Sequence, residues 1–233
     1  MDFANRTVMI TGAAGNLGRA VAAAFADRGA RVVLVDRDEE TLRKAFGATG
    51  ERLLLATDLL DPVQVEATAR RATERCGRID VLANLAGGFR MGEPVHAIAE
   101  DTLRFLFDIN VRTVLNTARA VVPGMIEAGG GRIVNVGAYA AQKGVAQMGA
   151  YVAAKSAVIR LTESMAAELR EKNINVNCVL PTIIDTPENR AAMPDADPGR
   201  WVAPADLAAV IAFLASDAAR AIHGAAVPVT GLS

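Results

Sequence analysis

Tyr151 and Lys155 stand four residues apart in a stretch that reads as a helix, a spacing that sets both side chains on one helical face. A free phenol, with a pKa near about 10, exchanges protons poorly at neutral pH. A neighbouring ammonium stabilises phenolate and is expected to bring that pKa toward the range where general acid–base catalysis is efficient. An ordinary amphipathic pair on a solvated helix would look the same. The chain has only two tyrosines and four lysines, so a chance match at this spacing is expected about 3% of the time. A second constellation is the run Thr11-Gly12-Ala13-Ala14-Gly15-Asn16-Leu17-Gly18 between a candidate strand and a candidate helix. Glycines there let backbone N–H groups and the helix N-terminus approach a pyrophosphate. Asp36 closes the second strand, where its carboxylate can accept hydrogen bonds from an adenosine ribose. The same charge repels a 2′-phosphate and favours NAD over NADP, although Arg19 and Arg37 lie near enough to offset it.

These groups need a scaffold that alternates strands with helices. Candidate strands are 7–11, 31–36, 53–56, 81–84, 132–137, 175–180 and 225–229, and candidate helices are 16–29, 39–47, 62–76, 99–128, 149–172 and 204–218. Fully apolar strands such as Val32-Val33-Leu34-Val35 read as buried on both faces, as a parallel sheet covered by helices requires. The expected fold is α/β, a doubly wound Rossmann fold with a mostly seven-stranded parallel sheet flanked by helices. The expected organisation is a single domain, 1–233. Its one long break, 181–203, reads as a substrate-side loop.

Composition narrows the partners. Twenty-five basic residues against 26 acidic ones leave a net charge of -1 and no basic block, which argues against nucleic acid. Cys76, Cys178, His96 and His223 have neither disulfide-framework nor zinc-site spacing, so no metal is expected and a reducing cytoplasm fits. No apolar run approaches membrane-spanning length, and the first residues lack a secretory pattern.

The ordered set TGAAGNLG, Asp58, AxxAGG around Asn84–Gly88, Asn110, YVAAK and PTIIDT resembles the short-chain dehydrogenase/reductase family along the whole chain. The resemblance implies that Tyr151 is the catalytic acid–base and that Lys155 lowers its pKa and holds the nicotinamide ribose. It implies that Asn110 holds a water linking Lys155 to solvent. Gly12, Gly15, Asn16, Leu17, Gly18, Asp36 and Arg37 would hold the cofactor. Asp58 and Leu59 would meet adenine, with Asn84, Ala86 and Gly87 along the adenosine side. Pro181, Ile183, Ile184 and Thr186 would clasp the nicotinamide end. A homodimer or homotetramer built on helices 99–128 and 149–172 is also implied, as is a small-molecule substrate.

Three departures matter. The turn reads GxxGxxG, with Asn16 where the family has glycine; asparagine tolerates left-handed backbone, so the turn is expected to survive. The usual NNAG reads Asn84-Leu85-Ala86-Gly87. The family's serine, thirteen residues before the tyrosine, is Ala138. A missing donor of this kind costs about 10²–10³ in rate, which would impair an ordinary ketone reductase unless Gln142 or a water substitutes. The GxxGxxG turn, the missing serine and the segment 180–201 resemble the dihydropteridine reductase branch, which implies reduction of a quinonoid dihydropterin. The alternatives are a carbonyl or alcohol (3-oxoacyl-type) reductase, or a dinucleotide-binding redox sensor or scaffold with little turnover. In the 187–201 segment, Trp201 and Met193 either line a flat-ligand pocket or anchor the loop on the core. Glu188, Asn189 and Arg190 either contact a polar heterocycle or are simply solvated. His96 and His223 read as surface residues.

Overall fold

Runs of β-branched and aliphatic residues form the sheet. The computed structural model describes residues 1–47 and 52–233. Among them β1 (Thr7–Thr11), β2 (Arg31–Asp36), β3 (Leu53–Ala56), β4 (Val81–Asn84), β5 (Gly131–Val136), β6 (Ile174–Pro181) and β7 (Ala226–Val229) pair in parallel. Their spatial order is β3-β2-β1-β4-β5-β6-β7. The winding direction reverses between β1 and β4, and the crevice beyond their carboxyl ends is where such sheets bind ligands.

The two-residue strand period sorts side chains into two cores. Val8, Ile10, Val32 and Leu34 pack with Phe25, Leu207 and Ile211 on one face. Met9, Val33 and Val35 pack with Val65, Val121 and Met125 on the other. The first face is covered by α1 (Asn16–Ala26) and α8 (Pro204–Leu214), the second by α3 (Pro62–Cys76), α5 (Thr113–Glu127) and α6 (Gly149–Leu169). Helix α2 (Glu39–Phe46) starts at Asp38, whose carboxylate accepts the Thr41 N–H. No helix among the described residues is long and apolar enough to cross a membrane.

Two expected elements differ. The continuous helix over 99–128 is α4 (Glu100–Phe107), a π turn (Asp108–Arg112) and then α5. A π turn inserts one residue into the helical ladder and re-aims the side chains around it, here Asn110. The stretch 181–203 also has structure of its own. It contains a further helix, α7 (Pro187–Ala192), with Pro187 in its first turn and the Thr186 hydroxyl accepting the Asn189 N–H. A parallel bridge between Ile184 and Val202 closes the base of the excursion.

A chain of buried amides and hydroxyls sets β4 and β5 against the helices behind them. Asn84 donates to Asn135 Oδ1 at 2.9 Å, Asn135 donates to Thr162 Oγ1 at 2.9 Å, and Thr117 donates to Asn84 Oδ1 at 2.8 Å. Buried polar groups must find such partners, so one strand-to-helix register is selected.

Candidate active site

The carboxyl ends of β1 and β4 are tied by Thr11, whose hydroxyl accepts the N–H groups of Leu85 and Ala86 at 3.1 and 3.3 Å. Gly12 has φ +64°, and a Cβ there would meet the Ala86 nitrogen at 2.9 Å. A Cβ on Gly18 would run into the carbonyl oxygens of Gly12 and Ala13. Neither position accepts a side chain without moving the turn. Gly15 caps α1 with no side-chain hydrogen bond, and the first turn holds no acidic residue. No carboxylate from α1's own first turn occupies its leading N–H groups, a setting that suits a pyrophosphate. Leu17 packs against the core beneath the turn.

Asn16 departs from expectation. It has no left-handed backbone and begins the helix, so no glycine is needed there. Its amide donates to Glu188 Oε2 at 2.8 Å and accepts from Arg19 at 2.6 Å. Glu188 is thus a tether between α7 and the glycine turn, and its carboxyl is held below the usual range by hydrogen bonds at the start of α7 and from Asn16.

At the end of β2, Asp36 Oδ2 accepts the Ala14 N–H at 2.9 Å and Oδ1 accepts the Arg37 N–H at 2.8 Å. The carboxylate is held beside the glycine turn, with the Arg37 side chain exposed. Asp58 accepts the Leu60 N–H at 2.9 Å. The Leu59 side chain lies in the core, so only its backbone can face a ligand. Asn84 is a correction, because its side chain is 3% exposed and committed to Asn135 and Thr117. It braces the site from below and does not line it.

Tyr151 and Lys155 lie on the first two turns of α6, near the loop that follows β4. Lys155, 6% exposed, donates to the Val136 carbonyl at 2.8 Å, its one hydrogen bond among the described residues. A Cβ built on Gly87 would fall 3.2 Å from Lys155 Nζ and 2.9 Å from Asn110 Oδ1. Glycine therefore keeps open a cradle bounded by a buried ammonium with donors to spare, which fits the hydroxyls of a ribose. Asn110, 1% exposed, accepts the Gly88 N–H at 3.2 Å and donates to Gly88 and Leu106 carbonyls at 3.0 and 2.9 Å. Its side chain pins the loop after β4.

Tyr151 packs between two buried clusters, one that holds Ala138, Ile159 and Leu180 and one that holds Leu106, Ala150 and Ala154. The expected drop in its pKa is not found: burial pushes the phenol up to about 12. Burial also brings the Lys155 ammonium down to about 8. Desolvation penalises both charged forms, and the Lys155 ammonium points to Val136. Ala138, 5% exposed, belongs to the cluster against which the tyrosine packs and offers it no hydroxyl. Gln142 is exposed and donates to the Tyr139 carbonyl of its own turn at 3.5 Å, so it does not replace the absent hydroxyl.

On the far side, Pro181 ends β6 in the core, Ile184 packs into the core face, Ile183 is half-buried and bonded through its carbonyl to Val202, and Thr186 caps α7. Trp201 is 7% exposed, as the anchoring reading expects. Arg190 pairs with Asp185, and Asn189 donates to the Ile184 carbonyl, so both serve the loop itself. His223 is half-buried rather than on the surface, 3.4 Å from the Asn175 amide, while His96 is exposed. Sequence reasoning passed over Phe89, whose ring meets Tyr151 edge to face at a centroid distance of 4.8 Å. An aromatic residue directly after the glycine pair of the β4 loop was the available signal.

Comparison with known proteins matches residues 6–197 to the short chain dehydrogenase family model. The chain is 37% identical over 240 residues to cis-4-hydroxycyclohexanecarboxylate dehydrogenase of Sinomonas cyclohexanicum, covering 98% of this chain and 96% of that protein. It is 31% identical to a 3-oxoacyl-[acyl-carrier-protein] reductase of Vibrio harveyi, covering 99% and 98%. Among solved structures, an NAD+-bound xylitol dehydrogenase superposes with a TM-score of 0.91 at 29% identity, covering 99% of this chain and all of that one. These relatives carry the names of alcohol dehydrogenases and a carbonyl reductase. They support the carbonyl and alcohol alternative and give no support to the dihydropteridine reductase branch or to a quinonoid pterin as substrate.

Proposed function

The chain belongs to the short-chain dehydrogenase/reductase family, and on that premise we propose that it interconverts a secondary alcohol and its ketone using NAD(H). The observation that carries this reading is the geometry around Lys155: a buried ammonium anchored on Val136, beside the Gly87 cradle and one helical turn from Tyr151.

NAD(H) supplies or removes the hydride. The α1 N-terminus and Gly12, Gly15 and Gly18 hold its pyrophosphate. Asp36 receives the adenosine ribose, Asp58 and the Leu59 backbone face the adenine, Ala86 lies along the adenosine side, and Gly87, expected on that side too, opens toward Lys155 and admits the second ribose. The fixed Asp36 carboxylate disfavours a 2′-phosphate by like-charge repulsion, which supports NAD over NADP.

Tyr151 transfers the proton at the substrate oxygen. Its hydroxyl has no hydrogen-bond partner among the described residues, so it can turn to that oxygen. Lys155 donates to ribose hydroxyls and favours the phenolate once both groups face one ligand. Asn110, by fixing Gly88, sets the edge on which the substrate rests, and would hold the water that links Lys155 to solvent. Ala138 leaves the substrate oxygen with one hydroxyl donor where the family places two. Exposed Leu115 and Ile126 on α5 support a homodimer or homotetramer through helices 99–128 and 149–172, which light scattering at micromolar concentration tests.

The test is turnover of secondary alcohols with NAD+ and of ketones and 3-oxoacyl thioesters with NADH. We expect NAD-linked turnover that Tyr151→Phe abolishes. Undiminished turnover in Tyr151→Phe would remove the centre of the proposal.

A further inference from the structure

We propose that Phe89 sets substrate specificity, its ring selecting alcohols and ketones whose reacting carbon carries an apolar ring or alkyl group over polyhydroxylated ones. This inference rests on the alcohol and carbonyl reading above.

The position of Phe89 is built, not incidental. Gly88, just before it, has both its N–H and its carbonyl bound by Asn110. A Cβ on Gly88 would sit 3.0 Å from the Phe105 ring and from Ile109, so the loop passes these side chains as closely as the backbone allows. From that anchor the Phe89 ring stands at 87° to the Tyr151 ring. One flank of Phe89 is thereby used, yet the residue remains 54% exposed. A large aromatic side chain held rigidly beside the reacting hydroxyl, with its other flank in water, is a surface that gains by being covered.

The surroundings have the same character. The Gly92 N–H donates to the Gln147 carbonyl at 2.8 Å, which ties the Phe89 loop to the segment leading into α6. That loop also exposes Met91 and Val95, and Val95 reaches over Gly149, two residues before Tyr151. Ala138 adds an apolar methyl to the cluster under Tyr151 where a serine would have offered a hydroxyl. The adjacent cation, Arg90, lies over the Phe105 ring at 4.0 Å and faces Asp101, so its charge is engaged away from Phe89. A polyol placed here would surrender water from several hydroxyls and find few partners, whereas an apolar ring would cover Phe89 and lose nothing.

The experiment compares cyclohexanol with xylitol under saturating NAD+ for the wild type, Phe89→Ala and Phe89→Leu, with NADH binding followed by fluorescence as a control. The wild type should favour cyclohexanol. In Phe89→Ala the ratio of kcat/KM for cyclohexanol over xylitol should fall about tenfold to a hundredfold, carried by KM, and Phe89→Leu should restore most of it. A fall in kcat that is equal for both substrates would mean that the ring only positions Tyr151, and would overturn the inference. Preference of the wild type for xylitol would also overturn it while leaving the proposed function intact. Failure of the wild type to oxidise either alcohol despite normal NADH binding would overturn both.

Discussion

The Asn16 amide on the glycine turn donates to the Glu188 carboxylate on α7 at 2.8 Å, joining residues 172 positions apart across the mouth of the cofactor crevice. The turn holds the pyrophosphate in our reading, so this bond straps one wall of the site to the other. Removing it with Glu188→Ala should speed NADH release about three- to tenfold, the scale of one exposed hydrogen bond. Stopped-flow displacement measures this. An unchanged release rate would show that α7 opens independently of Asn16.

Ala138 leaves Tyr151 as the only hydroxyl of the expected pair beside the substrate oxygen. Ala138→Ser restores the second donor at a position in the cluster against which Tyr151 packs. Its kcat for ketone reduction should rise about tenfold to a hundredfold, short of the full effect of a preorganised donor. Steady-state kinetics with one ketone and NADH decides this, and a fall in kcat would indicate that the methyl is needed for packing.

Asp36 is expected to discriminate against NADP through its charge, since both its oxygens are already held by backbone N–H groups. Asp36→Asn removes the charge and keeps one of the two backbone hydrogen bonds. The ratio of kcat/KM for NAD+ over NADP+ should narrow at least about tenfold, because a unit charge a few ångströms from a phosphate is worth about 1–4 kcal/mol at the effective dielectric of a surface cleft. An unaltered ratio would place the discrimination elsewhere.

Burial of Lys155 makes stability depend on pH. Its pKa is about 8 in the folded chain against 10.5 for the free group, so the unfolded chain binds more protons between those values. Stability therefore rises with pH across that window, and the cost of the buried ammonium is fully present below about pH 8. Tyr151 stays neutral in folded and unfolded chains until about pH 9, whereas Cys178, pushed up by burial from 9.0 to about 11, starts to ionise in the unfolded chain between about pH 8 and 9 and offsets a few tenths of a kcal/mol of the gain. Between pH 7 and 9 the gain should be about 1 kcal/mol, and Lys155→Met should flatten it. Denaturant titrations at the two pH values measure both.

The four strands β1 to β4 have the bounds that their apolar runs imply, because a strand buried on both faces carries its whole signal locally. The pair Tyr151 and Lys155 was legible for a similar reason: i and i+4 are neighbours on any helix. The π turn at 108–112 was not, since one inserted residue leaves the apolar periodicity almost unchanged. Helix α7 carried local signals in Thr186 and Pro187, but its six residues are too few to show a periodicity. Asn84 misled for a physical reason, because an amide in a motif looks alike whether it faces a ligand or a buried neighbour.

By itself, the sequence determined the alternation of elements, the glycine turn, the acid at the end of β2 and the pairing of Tyr151 with Lys155 on one helix face, all of which depend on residues close together along the chain. Only the tertiary structure decided what those groups experience. Packing removed water from Tyr151 and Lys155 and moved their pKa values apart from the expected direction. It turned Asn16 into a strap and Asn84 into a brace, and it brought Phe89 against Tyr151 across 62 residues. Desolvation and long-range contact depend on which surfaces meet, and that is a property of the folded sheet and its helices together.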